Sequence, residues 1–89
     1  MHEQESQSQL SAKLAEAKRQ VTVGGRYMHY KQKSYEVIAT ALREEDHEPC
    51  VVYQAEYGDR LTWIRPMANW VEEVEVDGKL IKRFTEIKE

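Results

Sequence analysis

Two stretches decide the fold of this chain: RYMHYKQKSYEVIATALR, residues 26–43, and CVVYQAEYGDRLTWIR, residues 50–65. Both are rich in aromatic and β-branched residues that alternate with polar ones, which is typical of antiparallel strands. They predict strands at residues 26–31, 35–43, 50–57 and 60–65, with a tight turn at Gly58-Asp59. The second strand is apolar on both faces, which favours a roll or barrel in which it crosses between layers.

The remaining C-terminal residues predict shorter elements. Residues 67–70 fit one helical turn after Pro66, and the run Glu72-Glu-Val-Glu-Val76 alternates as a charged edge strand would. Asp77-Gly78 predicts a second tight turn, followed by one short strand within residues 80–87. The predicted fold class is therefore mainly β, with an antiparallel sheet.

The N-terminal third has a different pattern. Residues 1–9 are mostly Gln, Ser and Glu, so we expect a disordered tail. Residues 10–23 predict an amphipathic helix, with Ser11 as a plausible N-cap and Gly24-Gly25 as its stop. Apolar residues recur at intervals of three or four positions, as on one face of a helix; they are Leu10, Leu14, Ala17 and Val21. The β domain would then occupy residues 24–89.

Composition excludes several classes of protein. The 89 residues carry a formal net charge of −3, which argues against non-specific nucleic-acid binding because such binding needs a clear basic excess. The sequence also has no feature specific to DNA binding. Residues 1–43 carry seven basic and four acidic side chains, whereas residues 44–89 carry six and twelve. Cys50 is the one cysteine, and no apolar run approaches the roughly 20 residues that cross a bilayer, so we expect a cytoplasmic protein without a membrane partner.

Five motifs in fixed order carry a resemblance to a known family. The motifs are Gly25-Arg-Tyr-Met-His-Tyr-Lys31, Tyr35-Glu-Val37, Val51-Val-Tyr53, Tyr57-Gly58 and Trp63-Ile-Arg-Pro66. With these motifs the chain resembles the bacterial domain of unknown function 1653 family over roughly residues 24–86, and this resemblance implies an SH3-like β-roll without implying a function.

The residue types and their spacing predict one ligand patch, formed by Tyr27, His29, Tyr53 and Arg65. Tyr27 and His29 share a strand face because they are two residues apart. The four side chains combine ring surface, a titratable imidazole and a fixed positive charge, which suits an anionic or aromatic ligand. The alternative is that the tyrosines are interior, that His29 is structural, and that Arg65 pairs with a neighbour such as Glu36 or Glu56.

The other aromatic residues leave the same two alternatives open. Tyr30, Tyr35, Tyr57, Trp63 and Trp70 could extend an exposed patch or belong to the core. Trp63 lies in the middle of a predicted strand beside Leu61, and we expect it to support the core.

No pattern in the sequence predicts a metal, a cofactor or a catalytic group. His47 and Cys50 provide two ligands where a structural zinc site needs four. Cys50 has no local histidine base and fits a small apolar strand residue.

Three functions remain open. The favoured one is a non-catalytic binding module that takes an acidic or aromatic partner, either RNA or a peptide, through the aromatic and basic patch. The second is an assembly protein that forms a homo-oligomer through the N-terminal helix. The third, a small-molecule enzyme with His29 as acid or base, needs a pocket that a domain of this size seldom encloses.

Overall fold

The computed structural model describes residues 5–88, and its first element is the helix α1, Gln7–Gln20. Ser6 is the N-cap: its hydroxyl accepts from the Gln9 amide at 3.1 Å, while the Gln9 side chain accepts from the Ser6 amide at 2.8 Å. This reciprocal pair starts the helix one turn before the apolar periodicity begins. The predicted start at residue 10 and the Ser11 cap are therefore wrong. The disordered tail predicted for residues 1–9 is also wrong at residues 6–9, which form the cap and first turn of α1, and its residues 1–4 lie outside the described residues.

The helix ends as the chain becomes extended at Val21, three residues before Gly24-Gly25. The four residues that predicted the helix all face the protein, Leu10 and Leu14 half-buried and Ala17 and Val21 buried. Ala17 and Val21 belong to the core cluster, so α1 packs on the sheet of its own chain.

Five strands form one antiparallel sheet: β1, Arg26–His29; β2, Lys33–Leu42; β3, Pro49–Ala55; β4, Thr62–Pro66; and β7, Phe84–Glu86. Their order is β4-β3-β2-β1-β7. The four predicted strands and the mainly β class are confirmed. Within residues 5–88 the edge strands β4 and β7 do not pair, so the sheet is an open roll rather than a closed barrel.

The last predicted strand is wrong, because residues 80–87 divide between two sheets. β5, Glu73–Val76, and β6, Lys79–Lys82, form a separate hairpin whose turn residues Asp77 and Gly78 have φ values of 53° and 79°. The predicted helical turn before it is confirmed as α2, Met67–Trp70. Arg83 lies between β6 and β7 and makes two backbone hydrogen bonds there. Its amide donates to the Glu72 carbonyl, and its carbonyl accepts from the Tyr30 amide.

A bulge in β2 explains why this strand is apolar on both faces. Val37 pairs with Tyr53 across the sheet, whereas Ala39 pairs with Val52, so the face reverses between them and leaves Ile38 exposed. The predicted single face of Tyr35, Val37, Ala39 and Ala41 is therefore interrupted. A bulge also increases local twist, which bends the sheet around its core.

The core lies between the sheet and the two helices. Its centre is a stacked pair, Trp70 and Phe84, with ring centroids 3.7 Å apart. Tyr27 and Tyr53 present their edges to Trp70 at 5.4 and 5.0 Å.

Candidate binding groove

A surface depression beside the edge strand β4 combines aromatic rings with a cation. We call it the tyrosine–tryptophan groove; it has a volume of about 220 Å³ and is lined by Tyr35, Tyr53, Tyr57, Trp63 and Arg65. These residues come from β2, β3, the β3–β4 loop and the edge strand β4. All five belong to the sequence motifs on which the family resemblance rests.

The tyrosines form a network of edge contacts. The ring of Tyr35 lies 5.2 Å from that of Tyr53 and 5.5 Å from that of Tyr57, and the hydroxyls of Tyr35 and Tyr57 share a hydrogen bond of 2.5 Å. Burial, reinforced by this hydrogen bond, raises the pKa of Tyr35 to about 12. The Tyr35 phenol is therefore neutral at physiological pH, and the network holds the ring orientations fixed.

Arg65 is held in place by uncharged partners. Its Nε donates to the Tyr53 hydroxyl at 3.2 Å, and its Nη1 donates to the Asn69 side chain on α2. The guanidinium also lies 5.4 Å from the centre of the Phe84 ring. The alternative pairing with Glu56 is not adopted, because Glu56 binds Arg26 at 3.0 Å. Among the described residues, the positive charge of Arg65 thus lies at the groove without a carboxylate partner.

Trp63 is 50% exposed, so the expectation that it supports the core is wrong. It pairs with Tyr53 on β3 and lies on the edge strand β4, which has a neighbouring strand on one side only. Beside it, Leu61, Tyr57 and the Gly58-Asp59 turn form a small notch of about 80 Å³ that adjoins the groove. Trp63 therefore offers one half of its surface to a ligand.

A second cation lies at the rim. The Lys33 ammonium is 4.8 Å from the centre of the Tyr57 ring. Among the described residues, the groove lining contains a single charged side chain, Arg65. Ring surface bordered by two cations favours a ligand that is aromatic or apolar in part and negatively charged in part.

The structure brings three of the four predicted site residues into one neighbourhood. Tyr53 and Arg65 line the groove, and the His29 ring lies 4.9 Å from Phe84, the ring that Arg65 also contacts. Tyr27 is placed elsewhere: it is buried against Trp70, and its hydroxyl accepts from the Thr22 amide at 2.9 Å. The four residues therefore do not form one exposed surface: Tyr27 and Tyr53 are both buried in the core, at 6% and 5% exposure, and only Tyr53 borders the groove.

His29 is held by local contacts rather than directed into the groove. Its Nδ1 accepts from the Lys31 amide at 3.1 Å, and its ring packs on Tyr30 at 4.6 Å. Burial lowers the pKa of His29, and the positive charges of Arg65, Arg83 and Lys31 lower it further.

This lowered pKa predicts an acid-sensitive fold. Protonation of His29 is less favourable in the folded chain, so stability should be full above the usual value of 6.5 and fall as pH drops through the folded pKa. We expect the Tm to fall between about pH 7.5 and 5.5, and to fall less in His29→Gln. Thermal unfolding followed by circular dichroism measures both. His47→Gln is the control, and its Tm should fall with pH as much as that of the parent protein. A fall in Tm that is equally large in His29→Gln would contradict the prediction.

Sequence reasoning missed how Tyr35, Tyr57 and Lys33 meet at the groove. Tyr35 and Tyr57 were among the candidate aromatics, but they are 22 residues apart and only the β2–β3 pairing brings them together. Lys33 carried one available signal, because it precedes Tyr35 by two residues and so shares its strand face.

The remaining candidate residues have structural surroundings. Cys50 is buried, and burial raises the pKa of its thiol. His47 contacts Glu5 at 2.8 Å, which ties the start of α1 to the β2–β3 loop. Within residues 5–88, no three His, Cys, Asp or Glu side chains are grouped as a metal site would require. No helix in that range is long and apolar enough to cross a membrane.

The fold and the groove together define a small, open antiparallel β domain with an aromatic surface groove. Comparison with known proteins makes this specific: residues 25–86 match the sequence profile of DUF1653, and the chain belongs to this family of proteins of unknown function. A crystal structure of a DUF1653 protein from Bordetella bronchiseptica is similar, with 29% identity and a TM-score of 0.66 over 72% of this chain and 85% of that one. No curated protein matches the sequence significantly. The helix α1 lies outside the family match.

Proposed function

We propose that this protein is a non-catalytic binding module that holds an acidic segment of a partner protein in the tyrosine–tryptophan groove. The observation that carries the proposal is the half-exposed ring of Trp63 beside the fixed guanidinium of Arg65. An aromatic or apolar side chain would stack on Trp63 and Tyr57, and a neighbouring carboxylate would pair with Arg65 or Lys33.

Charge favours a peptide over RNA. Most of the affinity for nucleic acid comes from neutralising phosphates, which requires many cations along a track. This chain has a net charge of −3, and the groove has one cation in its lining and one at its rim. Two cations suit one or two carboxylates better than a phosphate backbone. The cytoplasm is the expected location of such an interaction.

The enzyme and assembly alternatives have weaker support. The groove volume of about 220 Å³ is below the roughly 300–1,000 Å³ of small-molecule sites, and Nδ1 of His29 is engaged by the Lys31 amide. A larger depression of about 540 Å³ at the end of α1 has no histidine or cysteine in its lining. The apolar face of α1, which an oligomer would need, packs on the sheet of its own chain at Ala17 and Val21.

A titration tests the proposed function. The probe is an end-capped octapeptide in which tyrosine and glutamate take turns at every second position, with serine at the positions between them, so that rings and carboxylates share one strand face. The readout is the backbone NMR spectrum of the labelled protein. We expect shifts at Tyr57, Trp63 and Arg65, and an affinity at least about tenfold lower for Trp63→Ala, as loss of a stacking anchor entails.

The matched control is Leu80→Ala, because Leu80 is also a large exposed apolar residue, at 68%, but lies on the β5–β6 hairpin. This control should bind as the parent does. Equal losses in the two variants, or an absence of groove shifts, would refute the proposed function. Tighter binding of single-stranded hexanucleotide RNA than of the peptide would replace the peptide by RNA as the partner.

A further inference from the structure

The strand beside the groove has an open edge. β4 pairs with β3 on one side and ends the sheet on the other. The Ala55 amide donates to the Leu61 carbonyl at 2.9 Å, which makes Ala55 and Leu61 a hydrogen-bonded pair. By the alternation of an antiparallel ladder, Trp63 and Arg65 also bond inward to β3, and the amides and carbonyls of Thr62 and Ile64 point away from the sheet.

We propose that the acidic partner segment binds as an added strand on β4, with its alternate side chains in the tyrosine–tryptophan groove. This inference rests on the proposed function and specifies how the peptide is held. Backbone hydrogen bonds to Thr62 and Ile64 supply affinity, and the groove supplies selectivity, as in other cases where an extended peptide extends a sheet.

The spacing along β4 fits an extended peptide. Leu61, Trp63 and Arg65 lie on one face at intervals of two residues, roughly 7 Å apart. Side chains two positions apart in an added strand have the same separation. When one of them lies against Trp63, the side chain two positions along the peptide therefore lies near Arg65. An aromatic or apolar residue followed two positions later by an acidic one therefore matches this edge.

The other exposed strands are a poorer match for a segment that is partly aromatic and partly acidic. β6 carries Lys79 and Lys82 but no aromatic ring. β7, at the opposite edge of the sheet, is three residues long and ends at Glu86. The hairpin strand β5 carries Glu73 and Glu75. These carboxylates would repel an acidic peptide, whereas β4 has Arg65 on its groove face and Lys33 close by.

Charge also favours a partner peptide over a second copy of this chain. Pairing β4 with β4 of another copy would bring two Arg65 guanidinium groups to the same interface without adding a carboxylate from either strand. A separate acidic segment supplies the opposite charge that this interface lacks.

The experiment is a backbone N-methylation scan of the same glutamate–tyrosine octapeptide, one amide at a time, with affinity measured by calorimetry. N-methylation removes a donor and adds bulk, so methylation at the alternate positions that face β4 should weaken binding at least about tenfold. Methylation at the intervening positions, whose amides face solvent, should change affinity by less than about threefold.

Hydrogen exchange of the protein amides is the second readout. Peptide binding should slow exchange at Thr62 and Ile64 and leave Trp63, already bonded to β3, almost unchanged. Binding that shifts the groove residues without any alternation in the scan would overturn strand addition and leave the proposed function intact. Failure of the unmethylated peptide to bind would instead refute the proposed function. A dimeric free protein, with Thr62 and Ile64 already protected, would overturn the peptide as occupant in favour of a second copy.

Discussion

Trp70→Ala should lower the free energy of unfolding by about 3–5 kcal/mol, a large part of the total stability of a small domain. Trp70 is 3% exposed, its ring stacks on Phe84, and the edges of Tyr27 and Tyr53 contact it. Truncation would remove a ring that four structural elements share and leave a cavity that the sheet and helices cannot close. Urea unfolding followed by circular dichroism measures the loss.

Trp63→Ala is the matched comparison, because it deletes the same side chain from the exposed edge strand. We expect it to lower the free energy of unfolding by about 1–2 kcal/mol, less than half of the Trp70 loss, since half of that ring is already in water and no closed cavity is left. A Trp63 variant as unstable as the Trp70 variant would contradict this assignment of the two tryptophans.

Ala17→Glu should destabilise the protein by about 3 kcal/mol or more. Ala17 is buried where α1 packs on the sheet, and among the described residues the core cluster around it contains no charged side chain. A carboxylate there would lose its hydration without gaining a cation, unless α1 leaves the sheet. Either outcome lowers the Tm, and detachment of α1 would also expose Val21 and Tyr27.

Ala15→Glu is the control for this substitution, since Ala15 lies on the exposed side of the same helix. Alanine and glutamate differ little in helix propensity, so the Tm of Ala15→Glu should differ from that of the parent by no more than about a degree or two. Thermal unfolding of both variants, with amide exchange of α1 as a local probe, makes the comparison. A stable Ala17→Glu protein with α1 still docked would contradict the assignment of Ala17 to the core.

Core and groove are joined through two aromatic residues. Tyr53 contacts Trp70 with its ring while its hydroxyl accepts from Arg65, and Phe84 stacks on Trp70 while its ring contacts the same guanidinium. The orientation of Arg65 therefore depends on packing in the core. Tyr53 and Phe84 therefore connect the core residue Trp70 on one side with the groove residue Arg65 on the other.

Local sequence patterns determined most of the secondary structure. These patterns are properties of neighbouring positions. Alternation of apolar and polar residues located four of the sheet strands, the Asp-Gly pair located the turn at residues 77–78, and the spacing of three and four located the helical face of Leu10 to Val21. The helix start was missed because a capping box forms at the exposed residues Ser6 and Gln9, where apolar periodicity carries no information. The division of residues 80–87 was missed because it depends on Arg83 contacting Glu72 and Tyr30, far away in sequence.

Only the tertiary structure decided which aromatic residues are core and which form the groove. Trp63 and Trp70 are alike in type, and both strand periodicity and helical context are compatible with burial of either one. Burial depends on what lies opposite a residue: α1 and Phe84 cover Trp70 and Tyr27, whereas the edge position of β4 leaves Trp63 exposed beside Arg65. Strand order is set by contacts between segments distant in the chain, so a local pattern predicts the strands but cannot tell which one will lie at the edge.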